Sequence, residues 1–100
     1  MERRLAAILA ADLVGYSRMV RADEEGTLRS FGELRETIII PKITQHRGRV
    51  FKLVGDGLLA EFSSTVDAVT CCSEMQIAIA ERNLSRSGGP ELVFRMGINL

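Results

Sequence analysis

The chain has 100 residues with 13 basic and 13 acidic side chains. That is one modest domain, without the basic excess of a phosphate-tracking nucleic-acid binder. Hydrophobic residues at 46%, charged residues at 26%, 9 Gly and 2 Pro exclude disordered, collagen-like and linker classes. No apolar run approaches the roughly 20 residues of a bilayer span.

Leu5 to Val14, LAAILAADLV, is almost wholly apolar and holds one carboxylate, Asp12. Such a run suits a strand buried on both faces, although its alanines leave a helix open. Asp12 also cuts the run too early for a signal peptide, so the chain reads as cytoplasmic, with no membrane segment. Gly15 ends the run, and Tyr16 to Val20 begin a short helical turn. Between Glu24 and Gln45 the period changes. Leu28, Phe31, Leu34 or Arg35, Ile38 and Ile39 fall three and four apart, which predicts one helical face. Pro41 should bend or end a turn there. Gly48 marks the exit, with Lys42, His46 and Arg47 in the last turns.

Val50 to Val54 and Leu58 to Phe62 flank Gly55-Asp56-Gly57, a hairpin signal. Ser64-Thr65-Val66-Asp67 has the form of a helix N-cap. Ala68, Cys72, Met75 and Ile79 then form an apolar stripe for the core. Asn83 to Pro90 is a polar loop, and Leu92 to Leu100 is a final strand. This order predicts an α+β, ferredoxin-like βαββαβ sandwich, a central antiparallel sheet with helices on one face. The last strand stops without turn or tail composition, as expected of a domain truncated at its C-terminus. The adjacent Cys71 and Cys72 read as buried thiols of a reducing compartment. His46 is the single histidine, which rules out a multi-His zinc site within the chain.

Two carboxylates stand where carboxylates are costly. Asp12 lies near the end of a buried strand, and burial requires it to be paired, protonated or bound to a cation. Asp56 lies at a hairpin tip. In the predicted fold the first strand neighbours the hairpin, so both acids can reach one end of the sheet. A pair of hard oxygen ligands there suits Mg²⁺. Taken singly, Asp56 also fits a turn residue with unusual dihedrals, and Asp12 a cap for the turn at Gly15. Gly15 entering a helix start offers free amides to a phosphate, although no phosphate-loop or dinucleotide fingerprint is present. Lys52 sits in the apolar run Val50 to Val54, either as an edge gatekeeper or as a donor near the acidic end.

Together these residues resemble a known family. Ala11-Asp12-Leu13-Val14-Gly15-Tyr16-Ser17 is similar to the first metal motif of class III adenylate and guanylate cyclases. Phe51-Lys52-Leu53-Val54-Gly55-Asp56-Gly57 resembles their Lys-x-x-Gly-Asp motif, and Phe94-Arg95-Met96-Gly97-Ile98 resembles the strand that follows. The resemblance covers nearly the whole chain, in order, and implies that residues 1–100 are the N-terminal portion of a cyclase catalytic domain. It implies that Asp12 and Asp56 hold two Mg²⁺ or Mn²⁺ ions, with the Leu13 carbonyl as a further ligand. The amides of Gly15, Tyr16 and Ser17 would cradle the triphosphate, and Lys52 would select adenine.

The implied reaction converts ATP to 3′,5′-cyclic AMP by attack of the ribose 3′-oxygen on the α-phosphorus, with pyrophosphate leaving. The resemblance further implies a homodimer, whose active site forms between subunits. A second base selector, an Asn and an Arg would come from beyond the last strand, so these 100 residues alone should turn over little ATP. A non-catalytic cyclase-like module that dimerises or binds nucleotide is the alternative. A diguanylate cyclase would carry a Gly-Gly-acid-Glu-Phe hairpin, and a receiver domain would alternate strands and helices strictly.

Overall fold

The computed structural model describes residues 6–100. Its strands are β1 (Ala7–Leu13), β2 (Arg49–Val54), β3 (Gly57–Phe62) and β4 (Phe94–Asn99). Its helices are α1 (Tyr16–Ala22), α2 (Glu24–Leu34), α3 (Ile40–Gln45) and α4 (Thr65–Ser85), with a π-helical turn at Arg35–Ile39 between α2 and α3. The strands form one sheet in the order β2-β3-β1-β4, and every neighbouring pair is antiparallel. This is the predicted α+β, ferredoxin-like sandwich. None of the described helices is long and apolar enough to cross a membrane.

β1 departs from expectation. Leu5 lies outside the described residues, and the strand is buried on one face, not two. Ala7, Leu9, Ala11 and Leu13 are buried, while Ile8, Ala10 and Asp12 alternate with them on an open face. The pleat explains this, because helices cover a single side of the sheet. The core face continues through Leu58, Ala60, Phe62 and Phe94, packed against Phe31, Leu34, Ile39, Ile43, Met75 and Ile79. Each fully buried Leu, Ile or Phe contributes about 1.5–3 kcal/mol of burial.

The long helical stretch breaks into three pieces. Asp23 caps α2 by accepting a bond from the Gly26 amide at 3.0 Å. The widened π turn directly precedes Pro41, whose ring crowds the carbonyl four residues back. Leu28 is 49% exposed, and its expected place in the core belongs to Thr27. Thr27 can be buried because its hydroxyl donates to the Met19 carbonyl. The exit from α3 is made by Arg47, at φ 63, one residue before the expected Gly48. Lys42 and His46, expected to serve the helix end, both reach Glu74 on α4.

Ser64 caps α4 as its sequence predicts, accepting from the Asp67 amide at 3.2 Å. The buried stripe of α4 uses Cys71, with Cys72 only partly buried. Desolvation raises the Cys71 thiol to about 11, so it stays protonated. Both cysteines are free.

Candidate active site

Of the candidate residues, Asp12 and Asp56 share one cleft beside the central strand, while Leu13, Gly15, Tyr16, Ser17 and Lys52 lie outside its lining. At the end of β1, the Leu13 amide donates to the Asp56 carbonyl at 2.7 Å, and the Val14 amide to the Val93 carbonyl at 2.8 Å. The first bond holds the β2–β3 hairpin tip against β1, and the second holds the segment entering β4. Asp12 and Asp56 consequently line one cleft of about 450 Å³, together with Ala10, Leu59, Arg95 and Gly97.

Gly57 makes this approach possible. It is the register partner of Asp12, and a Cβ there would lie 2.0 Å from the Ala11 carbonyl oxygen and 2.9 Å from the Asp12 Cα. Asp56 itself has no left-handed φ, since Arg47 is the one described non-glycine residue with positive φ. Its presence in the turn is therefore not explained by unusual dihedrals.

Asp12 is paired, and it is less buried than its strand suggested. Arg95, its register partner on β4, donates from Nε to Oδ1 at 3.0 Å and from Nη2 to Oδ2 at 2.8 Å. The Asp12 side chain is 37% exposed and that of Arg95 73%. The Arg95 hydrogen bonds, aided by its charge, hold the Asp12 carboxyl below its ordinary 3.8, against the opposing effect of burial. Asp12 in turn raises Arg95, to which the charge of Asp56 adds.

Gly15 follows β1 at φ 74, a conformation open to glycine at little cost, and stands at the N-cap of α1. No side chain caps this helix. The amides of its first turn, Tyr16 and Ser17 among them, accordingly lack intrahelical partners. Tyr16 is anchored by an edge-on contact with Phe31 at 6.3 Å, and Phe31 packs on Phe94 at 5.7 Å.

Lys52 reaches the open face by a bulge. Val50 pairs with Ala60 on the core face, and Lys52 pairs with Leu59 on the open face. The register shift between them absorbs Phe51 and reverses the side on which Lys52 stands. Lys52 is exposed and lies opposite Leu59, a residue that lines the cleft.

Among the described residues no group of three or more His, Cys, Asp and Glu side chains is placed to hold a metal ion. The donors on offer are two carboxylates and backbone carbonyls. This hard-oxygen set fits Mg²⁺ or Mn²⁺ when phosphate and water complete the shell. Arg95 had no assigned role in the sequence. Its signal was an arginine inside the apolar run Leu92 to Leu100, but its partner depends on a register that the sequence does not print.

No family model matches the chain. It is 45% identical, over all 100 residues, to a protein of Rhizobium meliloti (strain 1021) provisionally named adenylate cyclase 3. A crystal structure of an adenylate/guanylate cyclase/hydrolase from Silicibacter pomeroyi superposes on 98% of the chain with a TM-score of 0.85 and 40% identity. These likenesses to adenylate and guanylate cyclases, over nearly the whole of the chain, support its resemblance to the class III cyclase domains. The guanylyl cyclase Cya2 matches 97% of the chain with a TM-score of 0.83 and 28% identity. The chain spans 17% of the Rhizobium protein, 57% of the Silicibacter chain and 54% of the Cya2 chain.

Proposed function

We propose that this domain supplies the metal-binding and base-selecting part of a nucleotidyl cyclase that converts ATP to 3′,5′-cyclic AMP and pyrophosphate. The observation that carries the reading is the meeting of Asp12 and Asp56 in one cleft, directly before the uncapped Gly15 turn. Asp12, Asp56 and the Leu13 carbonyl would hold two Mg²⁺ or Mn²⁺ ions. Such ions neutralise the triphosphate and lower the pKa of the attacking hydroxyl when bound.

The chain's own part is positioning. The amides of Gly15, Tyr16 and Ser17 would donate to phosphate oxygens, helped by the positive end of α1. Lys52, turned onto the open face, would donate to adenine N1. Guanine carries a donor at that position and would leave the lysine mismatched, which supports ATP over GTP. A homodimer through the open face would bring the remaining groups to the cleft. The substrate and the unbridged Cys71 and Cys72 fit the cytoplasm.

The test is binding of a non-hydrolysable ATP analogue in the presence of Mn²⁺, by calorimetry. Asp12→Ala and Asp56→Ala are each expected to weaken binding at least about tenfold, the scale of losing one charged ligand contact. Equal affinity in all three proteins refutes the reading.

A further inference from the structure

Asp12 presents two carboxylate oxygens, and Arg95 takes both. Fork-on-fork pairing is the strong, directional form of the carboxylate–guanidinium contact. The backbone sets it, because Asp12 and Arg95 are register partners on β1 and β4 and share the open face. No mobile loop is needed to form it. Arg95 also lines the cleft beside Asp56, and that second acid adds to the field holding its charge.

Arg95 therefore stands where a cation bound between the two carboxylates would act. We infer that Arg95 is a built-in counter-cation for Asp12 that a divalent ion must displace, so that the domain binds free metal only after the guanidinium leaves the carboxylate. The inference rests on the reading of Asp12 as a metal ligand. The guanidinium is suited to leave. With most of its side chain in water, release costs it little solvation and requires no movement of β4. An arginine buried on this strand would have been a permanent partner; an exposed one is a removable one.

The experiment is a Mn²⁺ titration without nucleotide, following free Mn²⁺ by electron paramagnetic resonance. Arg95→Gln is expected to tighten Mn²⁺ binding by about three- to tenfold, the range of a mostly exposed bidentate pair. Arg95→Lys, which keeps the charge without the fork, should lie between this variant and the parent. Arg49→Gln removes the same charge from a residue paired with Glu61 and should change nothing. Adding Asp12→Asn to Arg95→Gln should abolish the gain.

Binding by Arg95→Gln equal to or weaker than the parent overturns the inference. If Asp12→Asn still weakens the parent in that case, the metal reading itself stands. Absence of Mn²⁺ binding in every variant overturns both. Should Arg95→Gln lose its circular dichroism signal, Arg95→Lys decides alone: tighter binding supports the inference, and unchanged binding overturns it.

Discussion

At the scale of single residues, the charges of this domain are placed by register and helix packing. Glu74 shows the effect away from the cleft: its Oε1 accepts from His46 Nε2 at 3.0 Å and from Lys42 Nζ at 3.1 Å, tying α4 to α3. These two donors, His46 first, hold the Glu74 carboxyl below its ordinary 4.5. A lowered carboxylate stabilises the fold above the unfolded value and loses that contribution as pH falls through the folded one. Urea unfolding should therefore show stability declining as pH drops below 4.5, with a shallower decline in Glu74→Gln, which should also be less stable near neutral pH. Asp12 and Asp56 were legible as candidates because carboxylates in apolar or glycine-flanked runs need a reason. Arg95 was not, because its role depends on which residue of β1 it faces.

At the scale of elements, the hairpin and its contact with β1 decide the site. Gly57→Ala puts a methyl against backbone on the neighbouring strand, so β1 or the hairpin must shift. A loss of about 1–3 kcal/mol is expected, the usual cost of overpacking, with weaker nucleotide binding as the cleft opens. Gly55→Ala meets nothing within 4 Å and is the control, expected to unfold close to the parent in the same thermal melt. The hairpin, the Ser64 cap and the strand order were readable from local patterns. The bulge at Phe51 was not, since adding one residue to a strand leaves no compositional mark. The one-sided burial of β1 was hidden by alanines, which look the same on an open or a covered face. The π turn before Pro41 and the burial of Thr27 came from tertiary packing, which periodicity alone does not encode.

At the scale of the whole molecule, the sheet has one covered face and one open face, and the candidate site belongs to the open one. The chain matches little more than half of the solved cyclase chains. Cyclic AMP formation by the purified 100-residue chain with Mg²⁺ or Mn²⁺ should accordingly be barely detectable, while the metal-dependent nucleotide binding described above persists. Robust turnover by this chain alone would contradict the proposal that it supplies only part of a cyclase site.

One packing contact has a practical side. The chain contains one tyrosine and no tryptophan, and that tyrosine is Tyr16, set edge-on to Phe31 just after the Gly15 turn. Nature has thus placed the molecule's single strong ultraviolet emitter beside the turn proposed to receive phosphate. Its fluorescence is a label-free optical reporter of that turn, read from the unmodified chain without a dye or an engineered tryptophan.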